Sequence, residues 1–356
     1  MKLIDVYIGQ NIVASTILGS LGLVGFLTLA TFLDQLDDLK NTYLIATAAH
    51  FVLLSVPRLF YETAPYAMLT GSLIGLGQLA KNSALIVLRT AGMSTHKIAI
   101  AADCASLPFA VGSTFVGEWI APKAELNARL IREGSMEFDI SPGSDGIWSK
   151  DEETFAHFSV MGKDSLKKVT VYYRQDNRIV KILWADSASY QHSSINGEQW
   201  MLSKVYITNF AGNAIKSNQF DSLAWKVNFD PISLATESLV GPGRMSLESL
   251  NSLIKSKSAA GLDTRTYQIG YWSKIFQPLS SLALVLISIG FIFGSSRGTT
   301  IGRRIVTGLV VSILFKMMQD PITPASLVFG FPPLLAVLIP IGICLTAGTL
   351  LRIKTR

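Results

Sequence analysis

The chain has 356 residues, of which 49% are hydrophobic and only 16% charged, with a net charge of +6. A water-soluble domain usually carries about 25% charged residues, so this composition excludes an ordinary soluble enzyme and points to an integral membrane protein. No charge occurs in 6–33, 63–80, 275–296 or 321–351, and a helix needs roughly 20 apolar residues to cross a bilayer core.

The first run, 6–33, is read as a retained span. It is too long for the apolar region of a signal peptide, and Lys2 alone is a weak basic leader. Gly19, Gly22 and Gly25 on it suit close helix packing in lipid. The second span lies at Thr63–Ala80. Pro57 and Pro65 are expected to break regularity at its outer start, where Arg58 and Glu62 stand at (i, i+4) and should pair.

Between the second and third spans, Lys81–Ser94 carries a helix signal. Asn82 or Ser83 can cap it, 84–91 holds good helix formers, and Gly92 can end it; Ser94 can cap the next span. A helix of about nine residues is roughly 13 Å long, too short to cross. Two readings stand. It lies on the lipid surface, or it docks on a cytoplasmic partner, with Leu85, Ile86 and Leu88 in the partner's groove and Arg89 at the rim. The chain contains no G-x-x-x-x-G-K-[ST] sequence, so ATP-driven work would need a separate ATPase chain.

The third span runs from about Ile98 to Gly117 and holds Asp103. A polar block follows at 118–270, read as mostly β. Val169–Tyr173 and Ile179–Trp184 are β-branched and aromatic runs around a turn at Gln175–Asn177. Asn196-Gly197 is a strong hairpin signal, leading into Trp200, Leu202, Val205 and Ile207 with two-residue spacing. Short strands with regular turns suggest a sandwich or jelly roll. Near its end, Leu247, Leu250 and Ile254 after Ser246 predict a helix that returns the chain to the membrane. No nucleophile or acid–base constellation is visible in the block, which reads as a binding or conduit module. The two cysteines, Cys104 and Cys344, both fall inside spans, and the four scattered histidines form no ligand spacing; no metal or other cofactor is expected.

The fourth span is Ile275–Ser296. The fifth, Ile301–Asp320, carries Lys316 near its far end, and the sixth lies within Pro321–Leu351 with a kink expected at Pro340. With the N-terminus inside, the cytoplasmic pieces carry Lys2, Lys81, Arg89, Lys97, Arg297, Arg303, Arg304, Arg352, Lys354 and Arg356 against Asp5. The positive-inside rule then puts the polar block outside the cytoplasm, and the excess basic charge is an orientation signal with no implication of nucleic-acid binding. The expected layout is 1–117 for three spans with the short cytoplasmic helix at about 82–92, 118–270 for the β domain, and 271–356 for three further spans.

Several segments carry a resemblance over nearly the whole chain. They are Tyr7-Ile-Gly9, Phe32–Leu36, Gly75–Ala80 with Ser83 and Ala91-Gly92, Gly117–Pro122, Gly146–Asp151, Tyr271–Leu279, Phe291–Gly294, Arg304–Gly308 and Val328–Pro333. In this order the chain resembles the lipopolysaccharide export permease family, LptF/LptG, and the Trp272–Pro278 block favours the LptG branch. The resemblance implies an α-helical membrane protein of six transmembrane helices, with a periplasmic β-jelly-roll domain inserted between helices 3 and 4. It implies an LptF-type paralogous permease as partner, an LptB-type ATPase dimer beneath the pair, and an LptC-type periplasmic protein. Lipopolysaccharide would be drawn from the outer leaflet of the inner membrane into a cavity between the two permeases and passed to the β-jelly rolls.

The same resemblance makes Ser83, Ala84, Leu85, Ile86, Leu88 and Arg89 the ATPase-coupling residues. Ala84 stands where the family usually has an acidic residue, so apolar docking with Arg89 would replace that contact. The outer end of the first span, often basic in relatives, here reads Thr31, Asp34, Asp37 and Asp38, with Lys40 the one basic candidate. Further candidates for lipid phosphates are Arg129 and Arg132, which could instead pair with Glu125 or Glu133, and Lys316, which could pair with Asp320. Leu21, Val24, Phe26 and Leu29 of the first span, and Leu309, Ile313, Phe315 and Met317 of the fifth, are offered as walls for acyl chains. Two other functions stay open: export of a different lipid or of lipoprotein, and a membrane anchor that presents a β binding module.

Overall fold

The computed structural model describes residues 2–39, 43–135, 147–151, 154–160, 164–175, 178–193, 197–211, 214–225, 231–259, 261–294 and 301–354. Helix α1 (Lys2–Leu36) is followed by α2 (Ile45–Lys81), the short α3 (Ala84–Thr90) and α4 (Thr95–Phe115). A π-turn, Val116–Ile120, joins α4 to α5 (Ala121–Ser135). After six strands come α6 (Pro231–Leu239), a 3-10 turn at Pro242–Arg244, α7 (Leu247–Ala259), α8 (Arg265–Gly294), α9 (Ile301–Gln319), α10 (Ile322–Phe329) and α11 (Pro333–Lys354).

Five of the crossings are long and apolar enough on their own: α1, the α4–α5 rod, α8, α9 with α10, and α11. The sixth is α2, which breaks by 73° into α3. Three spans, one insert and three spans is therefore the architecture. Two boundaries differ from expectation. Helix α2 starts at Ile45 and runs through both Pro57 and Pro65. The third span continues as helix to Ser135, and the first described strand is Ile147–Asp151. That extension is amphipathic, and it buries Ala121, Glu125 and Ala128, which gives a polar-looking stretch one face to hold.

Helices α2 and α8 form the centre. One face of the pair packs with Ile8 and Ile12 of α1 and Ile98 and Ala102 of α4. The other packs with Phe315 of α9 and Ile341 and Cys344 of α11. Close approach between α1 and α2 rests on α2: a Cβ at Gly71 would stand 2.4 Å from Thr16 Cα, so only glycine fits. Gly22 and Gly25 of α1, expected in that role, face open space. Much of α1 and α9 is left uncovered, with Leu18, Leu21, Phe26 and Leu29 exposed on one and Val310, Ile313, Leu314 and Met317 on the other.

Among the described residues the insert is a β domain of six antiparallel strands in chain order: β1 (Ile147–Asp151), β2 (Thr154–Val160), β3 (Ser165–Gln175), β4 (Arg178–Ser193), β5 (Gly197–Ala211) and β6 (Ala214–Trp225). Its core is Phe158, Val169, Val171, Leu183, Trp200, Leu202 and Val205. The inward positions on β5 are 200, 202, 205 and 207, so the alternation slips by one at Lys204, whose φ is +52°. Lys168 on β3, with φ +49°, marks the same slip between Leu166 and Val169. The register aligns Lys168, Asp186 and Lys204 in one row across three strands. Such irregularities bend a sheet. Leu234 and Ala235 of α6 and Leu126 and Leu130 of α5 pack against that core. The predicted return helix is α7, with the Ser249 amide donating to Ser246 Oγ at its start and Leu250 buried. The Asn196 and Asp176-Asn177 turns lie outside the described residues.

Candidate functional site

A cavity of about 980 Å³ opens between α1, α2, α8, α9 and α11, with the Pro242–Arg244 turn at one end. Its wall is apolar along Leu23 and Phe26 of α1, Leu309, Ile313, Phe315 and Met317 of α9, and Val337 and Ile341 of α11. Its polar groups include Glu62, Arg244, Lys274, Gln277, Lys316 and Asp320. An apolar cleft with a few placed polar groups is the usual form of a ligand site, and this one is at the upper end of the roughly 300–1,000 Å³ range. Much of its apolar wall comes from α1 and α9, the two helices least covered by the rest of the chain.

The mouth near the insert is built from ion pairs. Glu125 of α5, only 1% exposed, takes three guanidinium groups. Arg58 Nε donates to its Oε2 at 2.9 Å, and Arg129 Nε and Arg244 Nη1 donate to its Oε1 at 3.1 and 3.3 Å. Glu62 of α2 accepts from Arg58 Nη1 at 3.0 Å and from Arg244 Nε at 3.1 Å. A buried carboxylate persists only when paired and hydrogen-bonded, and here every carboxylate oxygen of the two acids has a donor. The expected local pair Arg58–Glu62 is therefore one edge of a larger cluster.

A second cluster lies beside it. Lys274 of α8, 4% exposed, donates to the Gly117 carbonyl at 2.9 Å and to Glu118 Oε2 at 3.0 Å. Glu118 Oε1 accepts from the Leu247 amide at 2.8 Å, which places a negative charge at the N-terminus of α7 where the helix dipole favours it. The π-turn sets this up. Gly117 lies against the Tyr61 ring, where a Cβ would come within 2.1 Å of Tyr61 Cδ2. Together the clusters tie both connections of the insert, α5 outward and the Pro242–Leu247 segment inward, to α2 and α8.

The residues singled out from the sequence divide. Ile313, Phe315, Met317, Lys316, Leu309 and Phe26 line the cavity. Leu29, Leu21 and Val24 are not among its lining residues. Lys316 Nζ reaches Asp320 Oδ1 at 2.8 Å, with both side chains 58% exposed. Arg129 and Arg132 also lie off the cavity wall. Arg129 is held by Glu125, and Arg132 Nη2 donates to Asp38 Oδ2 at 2.7 Å, while both stack over Phe51. Lys40 lies outside the described residues. Arg244, Glu62, Lys274 and Gln277 also line the cavity, and local sequence does not mark them as ligand-facing. For Arg244 the available signal was a cation beside Pro242-Gly243 in a segment re-entering the membrane.

At the other end of α2, Ser83 enters α3 with φ +60° and makes no side-chain cap. Gly92, at φ +89°, ends the turn, with the Met93 amide donating to the Leu88 carbonyl; this is a Schellman-type stop. Leu85 is buried in the core of the bundle and Leu88 is half-buried against it. The apolar residues left outward are Ile86 and Val87, with Arg89 lying over the Phe293 ring. The outward face is thus Ile86, Val87 and Thr90, in place of the expected Leu85, Ile86 and Leu88.

Among the described residues no group of His, Cys, Asp or Glu is arranged to hold a metal. The family description "Lipopolysaccharide export system permease LptF/LptG" matches residues 6–354. The chain is 31% identical over 342 residues to the lipopolysaccharide export system permease protein LptG of Escherichia coli K12, covering 95% of this chain and 94% of that protein. It is 32% identical over 341 residues to the protein of the same name from Haemophilus influenzae, at the same coverage. With six spans, an inserted β domain and a match along almost its full length, the chain belongs to the lipopolysaccharide export system permease LptF/LptG family.

Proposed function

We propose that this protein is the permease subunit of an ATP-driven exporter that extracts lipopolysaccharide from the outer leaflet of the inner membrane and passes it to a periplasmic β-jelly-roll bridge. The observation that carries this reading is the cavity, whose apolar wall on α1 and α9 is the least covered part of the bundle. A single chain leaves that wall open, so a paralogous six-span subunit of LptF type is the fitting second half. Acyl chains take the wall of Phe26, Leu309, Ile313, Phe315 and Met317, and Lys316 meets a lipid phosphate when it parts from Asp320.

The chain does no catalysis itself. An LptB-type ATPase dimer docks beneath α3, with Ile86 and Val87 as the apolar contact and Arg89 beside them. Leu85 and Leu88 carry the push into the bundle through the core they share with Ile98 and Leu79. The β domain lies in the periplasm, and an edge strand of its sheet, such as β6, accepts a strand from an LptC-type protein, as open edges do.

The test is copurification and reconstitution. The chain should recover a paralogous permease and an ATPase, and proteoliposomes of that complex should release lipopolysaccharide on ATP addition. A complex that hydrolyses ATP but captures no lipopolysaccharide from vesicles would refute the reading. Thiol labelling of a cysteine placed in β6 from the periplasmic side tests the location of the β domain.

A further inference from the structure

We propose that Arg244 is the residue by which the cavity mouth reads a phosphate on the lipid headgroup. The inference rests on the transport reading above. The cluster at the mouth holds three guanidinium groups, Arg58, Arg129 and Arg244, against two carboxylates, Glu62 and Glu125. Among these five residues the guanidinium groups outnumber the carboxylates by one, and the third acid nearby, Glu133, lies on the Arg129 and Arg132 side, away from Arg244.

The exposed part of that charge is at Arg244. Its side chain is 35% exposed, the most open of the three, and it alone of the three lines the cavity. Nε and Nη1 are held by Glu62 and Glu125, and Nη2 has no hydrogen-bond partner among the described residues. A guanidinium fixed on one side and free on the other presents a pre-oriented fork to an anion, which costs little ordering when a phosphate arrives. The other cations of the wall differ. Lys274 is consumed by Glu118 and the Gly117 carbonyl, and Lys316 has its own carboxylate, Asp320. Arg244 and Lys316 line the same cavity, together with Glu62, Tyr66 and Asp320.

Arg244 is also placed to matter mechanically. It sits on the 3-10 turn through which the chain leaves the insert for α7 and then α8, and the Pro242 carbonyl packs so closely on Gly270 of α8 that a Cβ there would stand 2.9 Å away. A headgroup bound at Arg244 therefore touches the link between the cavity and the β domain.

The experiment compares Arg244→Ala and Arg244→Gln with wild type in the reconstituted complex. The probes are vesicles of phosphorylated lipopolysaccharide and vesicles of the same lipid with its phosphates removed. Removing Arg244 leaves two cations facing two carboxylates, so the cluster stays balanced and the variants should fold; the glutamine keeps a donor for Glu62. Wild type should prefer the phosphorylated lipid, and both variants should lose about tenfold of that preference, on the order of 1.4 kcal/mol. A variant that slows both lipids alike and keeps the preference would make Arg244 merely structural and overturn the inference. A wild-type complex that moves both lipids equally would overturn it too, while leaving the transport reading intact. If wild type moves neither lipid, the transport reading fails and this one falls with it. Stimulation of the ATPase by inorganic phosphate alone, lost in Arg244→Gln, would assign the group to a free anion and overturn the headgroup assignment.

Discussion

Two sets of ion pairs stand at the same cavity mouth. Arg58, Arg129 and Arg244 close on Glu62 and on the nearly inaccessible Glu125, while Lys316 and Asp320 face each other one helical turn apart in the open. Both sets pair a cation with a carboxylate at about hydrogen-bond distance, yet burial separates their roles. An exposed (i, i+4) pair is worth about 0.3–0.5 kcal/mol and is easily exchanged for another partner. A buried carboxylate with three donors cannot lose them without leaving charge stranded in a poor solvent. The first set holds the insert onto the bundle through the buried Glu125, with Arg244 its one member on the cavity wall, while under the proposed function the second can trade its partner for a ligand.

The largest effect should come from Glu125→Ala. It leaves Arg58 and Arg244 to share Glu62 alone and takes the carboxylate from Arg129 at the root of the insert, and should cost about 3 kcal/mol, read as a lowered unfolding midpoint of the purified complex. If Glu125→Ala costs no more than the loss of Asp320, burial is not what separates the two sets. Gly117→Val comes next. It drives a branched side chain into the Tyr61 ring and disturbs the carbonyl that holds Lys274. Overpacking of this kind costs about 1–3 kcal/mol, and the same midpoint measures it. Lys316→Glu should leave the midpoint nearly unchanged but slow lipid release from proteoliposomes, because the introduced carboxylate and that of Asp320 would together repel the phosphate. An unaltered release rate would remove Lys316 from the lipid path.

The same contrast explains what can be read from the sequence. Spans are visible because a bilayer excludes charge over a continuous run, so 6–33 and 321–351 announce themselves. Arg58–Glu62 and Lys316–Asp320 are visible because (i, i+4) spacing is a local rule. Glu125 is not visible in that way: its partners Arg58 and Arg244 lie 67 and 119 residues away along the chain. On local spacing Arg132 is open to a phosphate, and only the fold brings Asp38 to it from 94 residues away. The helix at Ala121–Ser135 is hidden by its polarity, since its apolar residues Leu126 and Leu130 serve the β core rather than a membrane face. The bend in the sheet is legible in part, because 200, 202, 205 and 207 already break strict alternation at Lys204.

The smallest expected effect is the most discriminating for the exposed set. Asp320→Asn removes the carboxylate that Lys316 now faces, but neither side chain is buried by the chain itself and the helix keeps its backbone bonds. The stability change should stay within about 0.5 kcal/mol, below what a midpoint resolves well. The ligand should notice more than the fold does. A lysine without its carboxylate no longer has to give up an ion pair before meeting a phosphate, so lipid capture by a photo-crosslinker placed at Met317 should rise over wild type. Unfolding that shifts as far as in Glu125→Ala would show that the pair is structural after all. Capture that falls would show that Asp320, through some contact of its own, belongs to the lipid site.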